Sequence, residues 1–118
     1  MTNNQNKTFD LEERTAKFGE EIIRFCKELS KDEITRPIIN QLVKCGSSVG
    51  ANYCEADDAE SRKDFKHKIG ICKKESRECK HFLRMAGITV PERKSRAREL
   101  WIEAKELNLI FNSIYKKC

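Results

Sequence analysis

The chain has 118 residues, of which 36% are charged and 38% belong to the hydrophobic set, with five glycines and two prolines. That length suits one domain burying about two thirds of its unfolded surface, and the mix favours long amphipathic helices over a sheet. Lysine and arginine outnumber aspartate and glutamate by 24 to 19, which permits a nucleic-acid partner without requiring one, and no apolar run approaches the ~18 residues of a membrane span.

Residues 1–8 read as an unstructured polar leader and 9–118 as a single domain. Met1 to Lys7 lack the apolar centre of a secretion signal, so the expected compartment is the cytoplasm. There the six cysteines are expected to be thiols rather than a disulfide framework.

Asp10 is placed to cap a first helix, with Glu12 and Glu13 suited to its positive end. Leu11, Thr15, Phe18, Ile22, Phe25 and Leu29 then recur at spacings of 4, 3, 4, 3 and 4, a heptad seam that commits the segment to packing against neighbours. Ser30 to Ile34 reads as a connection. The second helix is predicted to begin at Thr35, with Pro37 in the first turn where its missing N–H does no harm. Its seam is Ile38, Leu42, Cys45, Val49, Asn52 and Ala56, and Asp57 to Glu60 end it.

Ser61 and Asp64 resemble a capping box for the third helix, whose seam is Phe65, Ile69, Cys72, Ser76, Cys79, Leu83 and Ala86, with Gly87 as the residue that closes it. Thr89-Val90-Pro91-Glu92 reads as a second capping box. It opens a fourth helix with Ala97, Leu100, Ala104, Leu107, Phe111, Ile114 and Cys118 on its seam. Four helices of about 20 to 28 residues joined by short loops predict an all-α, antiparallel up-down-up-down four-helix bundle.

A second row flanks each seam. On the first helix it is Ala16, Gly19, Ile23 and Cys26, and on the second Ile39, Val43, Gly46, Gly50 and Tyr53. An interior glycine costs roughly 1 kcal/mol relative to alanine, so close approach of another helix is expected to compensate. These rows form either a tight core or part of a subunit interface. On the fourth helix Trp101, Ile102 and Leu109 point away from the seam, where a monomer places polar residues, and mark an oligomer interface.

The row on the third helix is Lys66, Gly70, Lys73, Arg77, Lys80 and Arg84. Its five cations form a stripe about 25 Å long at 1.5 Å per residue, suited to several phosphates of a strand. Arg93, Lys94, Arg96 and Arg98 add to it at the start of the fourth helix. The plainer reading is a solvated face with Glu75 and Glu78 as partial counter-charges.

Little else carries chemistry. His67 and His81 fall on the outermost position of the third helix, away from any cleft that general acid–base work needs. Cys45, Cys72, Cys79 and Cys118 sit on seams as small hydrophobes, Cys54 is expected to be exposed, and without a Cys-x-x-Cys pair no zinc site or other cofactor is expected. Gly46-Ser47-Ser48-Val49-Gly50 lacks the Gly-Lys-Ser/Thr ending of a phosphate loop and lies inside a helix. Asn52 on the seam, with Ser48 and Glu55 a turn away on either side, suggests a buried polar network that fixes register.

Gln41-Leu42, Ser48-Val49-Gly50-Ala51-Asn52-Tyr53 and Glu55-Ala56 resemble the signature of the bacterial four helix bundle protein family, which includes proteins encoded by intervening sequences of 23S ribosomal RNA genes. The resemblance runs over roughly residues 9–117, with its specific part in the second helix; Cys54 departs from the arginine of close relatives, which weakens any role for that position. It implies a barrel-like homopentamer. It also implies distant kinship with the accessory variability determinant of diversity-generating retroelements, a basic pentamer that partners a reverse transcriptase and nucleic acid. The expected function is therefore a non-enzymatic oligomer that binds RNA or DNA, RNA favoured, through the third-helix stripe. The alternative is an adaptor for a nucleic-acid-processing protein with no nucleic-acid contact of its own. Neither reading involves a membrane.

Overall fold

Asp10 opens the first helix by accepting a hydrogen bond from the N–H of Glu13 at 3.2 Å, and α1 runs Leu11–Lys27. The computed structural model describes residues 10–118, so the leader expected for residues 1–8 lies outside the described residues. All six predicted seam residues of this segment are buried. The connection then folds on Asp32, whose carboxylate accepts the N–H groups of Ile34 and Thr35 at 2.9 and 2.8 Å. The Thr35 hydroxyl donates back to the Ser30 carbonyl at 2.7 Å. This Asx-type turn starts α2, Thr35–Asp57, at the predicted residue.

Ser61 accepts from the N–H of Asp64 at 3.0 Å and caps α3, Arg62–Thr89. Here two expectations fail. Gly87 does not close the helix: no glycine has a positive φ, and a Cβ at Gly87 sits 3.8 Å from that of Ala97, an ordinary packing distance inside a continuing helix. Nor does Thr89 cap the next helix. Its hydroxyl donates to the Met85 carbonyl one turn back at 2.8 Å, the local alternative open to a helical threonine. Pro91–Arg93 forms a single 3-10 turn, and α4 spans Lys94–Lys117.

Helices adjacent in sequence pack together, and α4 closes the ring against α1, the neighbouring pair that touches least. Four helices with no strand among the described residues thus make the expected bundle. At the α1/α2 crossing the two glycines meet: a Cβ on Gly19 stands 3.1 Å from the Gly46 carbonyl oxygen, and one on Gly46 stands 2.8 Å from Ile22 Cγ2. The α1/α4 side is joined by charge. Arg14 reaches Glu103 at 2.8 Å and Glu106 at 2.9 Å, Arg96 pairs with Glu21, and Arg93 pairs with Glu28. Cys118, predicted on the α4 seam, is exposed, one residue past the end of the helix at Lys117.

The glycines give a paired test by urea unfolding. Gly46→Ala places its methyl against the backbone-proximal carbons of fully buried Ile22, and overpacking of about 1–3 kcal/mol outweighs the ~1 kcal/mol helix gain, so stability falls. At Gly70 the new methyl meets only the ring edge of half-buried Tyr115, 3.2 Å away near the end of α4, which can shift. Gly70→Ala is therefore expected to gain up to about 1 kcal/mol.

Candidate nucleic-acid interface

One amide sets the register of α3 on α4. Asn108 donates to the Lys73 carbonyl at 2.8 Å and to the Ser76 hydroxyl at 3.2 Å, while Ser76, fully buried, donates to the Cys72 carbonyl at 2.8 Å. With that contact fixed, the antiparallel helices align their adjoining rows. Lys66 and Lys73 stand 4.8 and 4.3 Å from the centre of the Tyr115 ring, and Lys80 stands 5.8 Å from that of Trp101. Arg98 and Lys105, on α4 itself, approach Trp101 at 5.3 and 5.6 Å. These are cation–π distances. Gly70 leaves room for Tyr115, and Arg77 and Arg84 lie one step further out, exposed.

The predicted cations therefore divide. Lys66, Lys73, Arg77, Lys80, Arg84, Lys94 and Arg98 are joined by Lys105, and among the described residues none of these has a carboxylate within 4.0 Å. Arg93 and Arg96 turn the other way, to Glu28 and Glu21 of α1. The expected counter-charges also move. Glu75 is 8% exposed, its Oε1 has no hydrogen-bond partner, and its single ion contact is Lys74 at 4.0 Å. It lies seven residues on from Lys68, which pairs with Glu55 of α2, so Glu75 belongs to the α2 side of α3 and not to the stripe. Glu78 stays beside Arg77, in a shallow groove shared with Gln41 and Phe82.

The second-helix motif seats other helices. Asn52 donates to the carbonyl and hydroxyl oxygens of Ser48, both at 2.9 Å, so its network stays within α2. Glu55 takes no part in it and bonds Lys68 across to α3. Gly50 faces Thr15, where a Cβ would lie 3.3 Å from Oγ1. The cross-helix amide is Asn108. Its signal in the sequence is a spacing: Trp101, Asn108 and Tyr115 fall seven residues apart, one row beside the α4 seam.

Of the expected apolar interface, Ile102 and Leu109 are 44% and 57% exposed, whereas Trp101 is half-buried beneath cations. The histidines are exposed, and among the described residues no group of side chains is arranged to hold a metal. Cys26, Cys45, Cys72 and Cys79 are buried. Burial pushes the Cys26 thiol up to about 11 and that of Cys72 up to about 12. The hydrogen bond that Cys79 donates to Cys45 at 3.1 Å, with burial, raises the Cys79 thiol too, so Cys26, Cys72 and Cys79 stay protonated at neutral pH.

The family model of the 23S rRNA-intervening sequence protein matches residues 7–113. The chain belongs to that family. A crystal structure of a protein of unknown function from the S23 ribosomal protein family of Bacteroides thetaiotaomicron VPI-5482 has the same fold, with a TM-score of 0.82 at 27% identity over 93% of this chain and 98% of that one. No curated protein matches. No helix of the described residues is long and apolar enough to cross a membrane.

Within this family member Glu75 offers a test of the α2/α3 packing. Burial foremost, with Glu78 adding, raises its carboxyl above the ordinary value against the pull of Lys74 and Lys44. A raised acid favours the neutral native form, so the folded chain loses stability as pH climbs from the ordinary glutamate value through the native one. Glu75→Gln is expected to raise the urea midpoint at pH 7, and the gain should vanish below about pH 4. An unchanged or lowered midpoint at pH 7 would show that the carboxylate is solvated.

Proposed function

We propose that this family member is a non-enzymatic, cytoplasmic protein that binds nucleic acid, RNA by preference, through the outer groove between α3 and α4. The carrying observation is a run of cations, Lys66, Lys73, Lys80, Arg84, Arg98 and Lys105 among them, set around Tyr115 and Trp101 with no carboxylate partner among the described residues. Like charges crowded on one face repel, and an anion laid along them relieves that repulsion. Phosphates supply such an anion, and aromatic rings beneath the cations suit unpaired bases. Arg93 and Arg96, engaged with α1, are left out of this surface.

Contacts of this kind are strongly salt-dependent and weakly sequence-selective. Fluorescence anisotropy of a labelled structured RNA should therefore show affinity that falls steeply with salt. Lys73→Glu/Arg77→Glu/Lys80→Glu should weaken it at least about tenfold and flatten the salt slope by roughly 2 to 3. An unaffected triple variant sinks the groove and favours the second reading, an adaptor for a nucleic-acid-processing protein.

The adaptor reading draws support from Ile102 and Leu109, an exposed apolar ridge on the outer surface of α4. We read this ridge as a contact between copies, giving a homo-oligomer, pentameric by the family likeness. Light scattering behind a sizing column is expected to report a multiple of 13.8 kDa, and Ile102→Lys/Leu109→Lys to reduce it to the monomer. A single-copy mass for the unaltered chain at micromolar concentration rejects the oligomer.

A further inference from the structure

At the turn between α3 and α4, the groove deepens into a cleft of about 380 Å³ lined by Leu83, Arg84, Ile88, Lys94, Arg98 and Trp101. That volume lies at the small end of the ~300–1,000 Å³ range of small-molecule sites. Its walls are of two kinds. Leu83 and half-buried Trp101 form an apolar floor, with Ile88, 72% exposed, at the rim. Gly87 and Ala97 complete the lining without long side chains. Arg84, Lys94 and Arg98 also line the cleft, the Arg98 guanidinium 5.3 Å from the centre of the Trp101 ring, and none is paired with a carboxylate among the described residues.

A simple anion would leave exposed Ile88 uncovered and gain nothing from the indole that lies beneath the cations. An apolar molecule would leave the three cations unpaired. A flat aromatic group that carries phosphate satisfies both halves: its ring covers Trp101, and its phosphate oxygens accept from the arginines in the bidentate manner that suits them. We propose that this cleft binds a nucleoside phosphate, either free or as the unpaired end of a strand lying in the groove. The inference rests on the nucleic-acid reading above and adds which part of a strand is held.

Trp101 is the only tryptophan of the chain, so its emission reports the cleft directly. The full chain is titrated with AMP and ATP, with adenosine and tripolyphosphate as half-ligands, and with a 5′-phosphorylated oligoadenylate against a blunt RNA hairpin. AMP and ATP are expected to quench the emission saturably. Adenosine and tripolyphosphate should each bind at least about tenfold more weakly than ATP, since each lacks either the phosphates or the stacking base. Arg84→Ala/Arg98→Ala, both exposed and off the seam, should weaken ATP by about tenfold or more with an unchanged thermal melt. An oligoadenylate at least tenfold tighter than both AMP and the blunt hairpin assigns the site to a strand end, and an oligoadenylate no tighter than AMP assigns it to free nucleotide.

No quenching, tripolyphosphate as tight as ATP, or an unaffected double variant overturns the proposal. The two readings fail separately. RNA binding that survives without any response to AMP removes the cleft alone. AMP quenching in a chain that binds no RNA removes the groove and leaves the cleft.

Discussion

The contact of Gly19 with Gly46 governs how the other helices are placed. Without side chains there, the backbones of α1 and α2 approach until the position of a Cβ on Gly19 lies 3.1 Å from the opposing carbonyl oxygen. Around the ring, α1 and α4 are the neighbours that touch least. Long charged side chains span that side instead, from Arg14 to Glu103 and Glu106, from Arg96 to Glu21 and from Arg93 to Glu28. Exposed pairs of this sort add little each, but Arg14 engages Glu103 through two nitrogens and is half-buried, the geometry in which an ion pair contributes most.

This arrangement sorts the charge of α4. Glu103 and Glu106 are drawn to α1, and Glu99 is held by Arg96, so the carboxylates of the helix gather on its α1 side. The α3 side keeps Lys94, Arg98 and Lys105, which meet Lys66, Lys73, Lys80 and Arg84 across the groove. A chain with only a modest excess of positive charge thereby carries a face that is uniformly basic. The aromatic rings beneath soften the crowding without neutralising it.

The seams are legible in the sequence because a heptad needs only one property, apolarity, at fixed spacing, and burial selects for it directly. Every seam residue of α1 is buried, and the start of α2 falls at Thr35 as its sequence implies. What the spacing leaves open is which neighbour flanks each side of a seam. Arg96 and Arg98 are two residues apart and both cationic, yet one turns to Glu21 and the other to Trp101, a choice fixed by the hand of the ring. Glu75 departs from its expected place as a counter-charge for the same reason. The capping signal at Thr89 fails because its hydroxyl has a carbonyl within reach one turn back. The spacing of Asn108 from Trp101 and Tyr115 marks its row, but it does not reveal its partners, the Lys73 carbonyl and the Ser76 hydroxyl of α3.

Trp101 and Ile102 are sequence neighbours with opposite fates. The helix turns about 100° between them, enough to carry Trp101 into the cationic groove and leave Ile102 on the outer ridge with Leu109. The apolar ridge and the basic groove are thus separate surfaces on one helix, and covering the first need not close the second. Under the proposed reading, copies joined through the ridge would each present a groove. A strand held by several weak, salt-sensitive grooves gains by linked binding what no single one supplies, provided their spacing lets the strand reach them together. That gives the two surfaces a common use: the ridge gathers copies, and the grooves act as one site.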